Sequence, residues 1–155
     1  MSNTWIEPVY DRTQADVDKL LELLAKIRYS ALNADEKAEY DTDLKGAINK
    51  SDLERIKNNA ELLAEVYELT LTWSDIPELP TAAWFKEFGD NIQKIKDASY
   101  HHKSIPDVPA HPFNTFSKWN DIEYILWDIY EIAMNNFRYY SGEGLQSGDS
   151  FGALL

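Results

Sequence analysis

The stretch from Trp119 to Phe137 limits the possible folds more than any other part of the chain. Trp119, Ile122, Ile125, Leu126, Ile129, Tyr130, Ile132, Ala133 and Phe137 follow helical spacing but cover much more than one face. A helix that is apolar nearly all round is stable only when other elements surround it. This helix is expected to begin near Thr115 or Ser117, to run to about Tyr140, and to stop at Gly142. It reads as the central helix of an all-α domain.

Three other long segments can supply the surroundings. Thr13 is an N-cap with Asp16 three residues on, and Val17, Leu20, Leu21, Leu24, Ile27 and Arg28 carry the helical period over 14–31. Ser51 and Glu54 form a capping-box pair, and Leu53, Ile56, Ala60, Leu63 and Tyr67 share one stripe of a helix over 52–70. Thr81 or its neighbour caps a helix over 82–100, with Phe85, Phe88, Ile92, Ile95 and Ser99 on its stripe. Gly89 inside that helix costs about 1 kcal/mol against Ala, which points to close helix packing or a kink. A short piece of about two turns starts at Asn33, with Glu36 at its third helical position, and continues through Lys37, Tyr40 and Leu44 to a break at Gly46.

The connections are 71–80, with Pro77 and Pro80, and 101–114, with Pro106, Pro109 and Pro112. Asp52-Leu53-Glu54-Arg55-Ile56 resembles Asn91-Ile92-Gln93-Lys94-Ile95 and Asp121-Ile122-Glu123-Tyr124-Ile125. The likeness is either that of amphipathic helices in general or that of a duplicated helical unit. The expected fold is an antiparallel helical bundle of four main helices plus a short one over 13–140. An extended arm precedes it at 1–12, and a flexible Gly- and Ser-containing tail follows at 141–155.

Composition narrows the function. At 155 residues and 44% apolar content the chain can bury one core, and it is too apolar for a disordered segment. It has no Cys, so disulfides, thiolate metal sites and a Cys nucleophile are excluded. No apolar run approaches the ~18 residues of a membrane-spanning helix, and the N-terminal residues lack the pattern of a secretory signal. The net charge of -12 opposes binding to DNA or RNA, which requires a basic face; the small basic cluster Lys94-Ile95-Lys96 is flanked by Asp90 and Asp97.

Catalytic signals are weak. His101, His102 and His111 all lie in the proline-rich connection, with Asp107 as the one nearby carboxylate in sequence, and a metal site needs three or four ligands held rigidly. No histidine falls on an expected helix, so the Glu-x-x-His pattern of a di-iron bundle fails. Phosphate-binding glycine loops and the Gly-x-Ser-x-Gly elbow are absent, and Asp41, Asp43 and Gly46 do not have the spacing of a calcium loop. Carboxylates are plentiful: Asp121, Asp128 and Glu131 share a rough helical face, and Glu54 and Glu123 hold equivalent positions in the repeat. Two of them buried together can do acid–base work, but such residues more often cap helices, pair with cations or face water. The reading is of a non-enzyme without cofactor or metal. Aromatic residues give a second candidate, a ligand surface for a host glycan formed by Trp73, Trp84, His101, His102 and His111.

Three segments carry a resemblance. Thr4-Trp5-Ile6-Glu7-Pro8-Val9-Tyr10-Asp11-Arg12-Thr13-Gln14-Ala15-Asp16-Val17 is similar to a segment of structural proteins encoded by phages and prophages of Gram-positive bacteria, which carry Trp-Ile-x-Pro ahead of a Thr-capped helix. Asp52-Leu53-Glu54-Arg55-Ile56-Lys57-Asn58-Asn59 matches an Asp-Leu-x-Arg-Ile-x-x-Asn stretch of those proteins, and Lys118-Trp119-Asn120-Asp121-Ile122-Glu123 a third recurring piece. The matches reach from residue 4 to about residue 140. The resemblance implies a virion component of the tail, baseplate or fibre region, made in the host bacterial cytoplasm, with other virion proteins and copies of itself as partners. No catalytic residue comes with it, and the tail after Tyr140 lies outside it.

The arm and the tail are the natural contact elements for such a role. Trp5, Ile6, Val9 and Tyr10 can anchor the arm on the domain or on another subunit, and Phe151, Leu154 and Leu155 form an apolar tip to the tail. These seven residues are the candidate assembly contacts. A receptor- or carbohydrate-binding module using exposed aromatics is the alternative.

Overall fold

A computed structural model describes residues 4–28, 31–42 and 44–140. These described residues contain five helices: α1 (Gln14–Arg28), α2 (Ala34–Tyr40), α3 (Lys50–Val66), α4 (Ala82–Ala98) and α5 (Phe116–Tyr140). Among the described residues there is no strand. The expectation of an all-α bundle therefore holds.

The packed centre of the bundle is made by α3, α4 and α5, which pair with one another. Each contributes a row spaced by three or four residues: Leu53, Ile56, Ala60 and Leu63 from α3; Trp84, Phe88, Ile92 and Ile95 from α4; Trp119, Ile122, Leu126 and Ile129 from α5. Ile125 widens the buried arc of α5, as its sequence requires. The apolar pairs of the repeat, Leu53/Ile56, Ile92/Ile95 and Ile122/Ile125, all enter this one core. The last helix is 25 residues, or about 37 Å at the standard rise, long enough to line the core from end to end.

The first helix behaves differently from expectation. Among the described residues the core contains none from α1. Among its described side chains Leu23 is the fully buried one, whereas Leu21, Leu24 and Ile27, which follow the expected helical spacing, are 56%, 41% and 37% exposed. The apolar arc of α1 is wider than the side its neighbours cover, so periodicity alone did not locate the covered part. The flank next to α2 is held by ion pairs, Lys19 with Glu39 at 3.5 Å and Lys26 with Glu36. A hydrogen bond from Lys26 holds the Glu36 carboxyl below its ordinary range.

Caps set the starts of α2, α3 and α4. Asn33 caps α2 in the expected box: its side chain accepts the N–H of Glu36 at 2.9 Å, and Glu36 accepts the N–H of Asn33 at 3.1 Å. The side chain of Thr81 accepts the N–H of Trp84 at 3.2 Å at the start of α4. Helix α3 begins earlier than expected, with Asn49 instead of Ser51 as N-cap, and the Asp52 carboxylate accepts the Asn49 N–H at 2.8 Å. It also ends earlier, at Val66. Glu68 turns the chain at φ 55°, and the Leu69 N–H closes on the Ala64 carbonyl at 2.7 Å. This is a left-handed helix stop made without glycine.

Two glycines have different roles. A Cβ on Gly46 would lie 2.1 Å from the Asp16 carbonyl oxygen, so the loop before α3 touches the backbone of α1 there. The Gly46 break is thus also the point where α1 is pinned. A Cβ on Gly89 would meet only the ring of Phe113, at an ordinary 3.5 Å. Among the described residues no close helix approach demands that glycine, so of the two readings from sequence, close packing or a kink, the first is not what the structure shows.

The connections are tied down by side chains. The amide of Asn91 donates to the Thr72 carbonyl at 2.7 Å, and Ser74 donates its N–H and hydroxyl to the Glu87 carboxylate. In the 99–115 connection Ile105 plugs into the core. Lys118 reaches back to the Pro112 carbonyl at 2.6 Å, and the Trp119 indole to the Phe113 carbonyl at 3.1 Å.

Candidate functional site

The most unusual chemistry in the molecule lies where the N-terminal arm crosses the bundle. Arg12, Asp52, Glu123 and, at the edge, Arg55 sit together below the surface. Arg12 donates to Glu123 at 2.9 Å, to Asp52 at 3.0 Å and to the Val9 carbonyl at 2.6 Å. Arg55 donates to both carboxylates: to Glu123 from Nε at 2.6 Å, and from one terminal nitrogen to Asp52 at 2.6 Å and to Glu123 at 3.0 Å. Burial opposes the charge on Arg55, but these bonds and the attraction of Glu123 and Asp52 outweigh it and hold the guanidinium above its ordinary pKa.

The local sequence explains the arrangement. Glu123 is four residues after Trp119 and three before Leu126, so helix geometry turns it into the core arc of α5. Asp52 sits one turn before Ile56 in the first turn of α3, where it also caps the helix. A carboxylate in such a place is very costly unless it is paired. Two carboxylates and two guanidiniums balance formally, and each of the four carboxylate oxygens already accepts a hydrogen bond. The Arg12 Nε–H is buried and has no hydrogen-bond partner among the described residues.

Two asparagines complete the attachment of the arm. Asn120 accepts the Arg12 N–H at 3.0 Å and donates to the Arg12 carbonyl at 2.9 Å. Asn59 does the same to Ile6, at 3.0 and 2.7 Å. Each amide satisfies both backbone groups of one residue, the service a neighbouring β-strand would otherwise provide. Asn58 adds a bond to the Thr4 carbonyl at 2.7 Å. Aromatic contacts finish the strap: Trp5 stacks on Tyr130 with ring centres 3.9 Å apart, and Tyr10 packs against Tyr124 and Trp127.

The arm residues named as assembly contacts are therefore already engaged within the chain. Trp5 and Val9 are half-buried, and Ile6 and Tyr10 remain 46% and 37% exposed. Phe151, Leu154 and Leu155 lie outside the described residues, as does the whole expected tail.

The aromatic ligand surface does not form as expected. Trp84 is buried against Phe88, and Trp73 is half-buried with its indole N–H inside the protein, so the two rings offer no open platform. Their large apolar area is more stable in the core than in water. His111 stacks on Phe85. His102 instead meets a buried acid: Asp128 accepts its backbone N–H at 2.8 Å and bonds its ring Nδ1 at 2.5 Å. His101 points its Nδ1 at the His102 carbonyl, 3.1 Å away.

The carboxylate sets proposed from sequence also separate. Asp128 is committed to His102, Glu131 is exposed, and Asp121 is half-buried, with its pKa raised by desolvation. The equivalence of Glu54 and Glu123 in the repeat does not extend to their surroundings, since Glu54 is exposed and Glu123 is buried. Among the described residues no three His, Cys, Asp or Glu side chains gather where they could hold a metal ion. None of their helices is long and apolar enough to cross a membrane.

Two open clefts of about 300 Å³ each flank Arg12. One is walled by Asp11, Lys45, Asn49 and Arg55, the other by Val17, Ile48, Phe116 and Trp119. Acids do converge beside them, but as the counter-ions of Arg12 and Arg55. The arrangement holds a strap in place and offers no carboxylate free of a partner.

Sequence reasoning did not single out Arg12, Arg55, Asn59 or Asn120 individually. A signal was present: Glu123, Asn59 and Asp52 are polar residues at core positions of apolar stripes, and each needs a partner brought from elsewhere. No protein-family model, no curated protein and no solved structure matches the chain.

Proposed function

We propose that the chain is a non-enzymatic structural component of a phage virion, a helical assembly module of the tail, baseplate or fibre region. On this reading it is made in the cytoplasm of the host bacterium and works in contact with other virion proteins and with copies of itself. One observation carries the reading. The three segments that resemble phage structural proteins supply Arg12, then Asp52 and Asn59, then Asn120 and Glu123, which fasten the arm to α3 and α5, together with Arg55, which pairs with the same two carboxylates. Residues scattered over more than a hundred positions form one attachment, so what the segments have in common has a structural purpose. A module fastened in this way presents a rigid body with its arm pre-ordered, and contacts then bury surface without first ordering a chain.

The test is direct. Particles are purified by density gradient from the bacterium whose genome encodes the chain, after prophage induction, and probed by mass spectrometry and immunogold electron microscopy. Labelling at the tail, baseplate or fibres is the expected result. A chain found only in the soluble fraction, with intact particles lacking it, overturns the reading. With Trp84 buried and Trp73 half-buried, no specific observation favours the carbohydrate-binding alternative.

A further inference from the structure

We draw no further inference here: the strongest candidate, the outward apolar face of α1 formed by Leu21, Leu24 and Ile27, carries none because nothing in the structure shows what covers it.

Discussion

Arg12 and Glu123 are 111 positions apart in the chain and meet at 2.9 Å with both side chains 1% exposed. The contact joins the end of an extended arm to the middle of the bundle, and it takes two charges out of water to do so. Breaking a buried pair by removing one partner leaves the other charge stranded, which costs about 3–5 kcal/mol.

Replacing Arg12 by Met keeps the volume and removes the charge. The expected result is a loss of about 3–5 kcal/mol in urea unfolding, from the uncompensated Asp52 and Glu123. Combining Arg12→Met with Glu123→Gln should cost less than the sum of the two single changes, because the second removes the stranded charge. Strict additivity of the two would show that the residues are not coupled.

Asn59→Ala and Asn120→Ala each remove a two-point bond to arm backbone. Each is expected to cost about 1–3 kcal/mol and to speed amide exchange locally. Exchange at Ile6 should rise in the first variant and at Arg12 in the second. Unchanged exchange at both amides would mean that the arm is held by its rings and not by the amides.

The two glycines should respond in opposite directions. At Gly46 a methyl group collides with the α1 backbone, so Gly46→Ala is expected to destabilise by about 1–3 kcal/mol. At Gly89 the methyl fits against Phe113, and Gly89→Ala should stabilise by up to about 1 kcal/mol. Thermal melts of the two variants decide both. Likewise Glu68→Gly should relieve the positive φ and gain about 0.5–1 kcal/mol.

Asp121 gives a pH signature. Burial raises its pKa in the folded protein, so between the ordinary carboxylate value and the raised one the folded state binds more protons than the unfolded state. Stability from this residue therefore falls as pH rises through that window and returns on acidification. Asp121→Asn should melt higher than the parent near neutral pH, and the difference should shrink in acid. A constant difference at all pH values would show that its charge is not the cause. Glu36 has the opposite sign: Lys26 lowers its pKa, so its contribution is present above the ordinary value and fades as pH falls.

Much of the helix content was legible because it rests on local rules. The Asn33–Glu36 box, the Thr81 cap and the three- and four-residue rows of α3, α4 and α5 need only neighbours in sequence. The start of α3 was misplaced for a reason of the same kind, whereas its end is set by the left-handed turn at Glu68. Asn49–Asp52 competes with Ser51–Glu54 as a cap, and the choice goes to the register in which Asp52 also reaches Arg12 and Arg55. The exposure of Leu21, Leu24 and Ile27 was not legible because the sequence shows an apolar arc on α1 but not which part of it a neighbour covers.

The sequence by itself determined that the chain would be helical and that α5 would be buried; it also set Glu123 and Asn59 on apolar stripes, but sequence reasoning did not turn that into a need for partners. Only the tertiary structure decided which partners those would be, and that the arm folds back on its own bundle. The reason is physical. Periodicity and capping act over three or four residues, whereas the pairing of a buried charge is settled by whichever opposite charge the packed backbone brings within about 3 Å, however far away it lies in the chain.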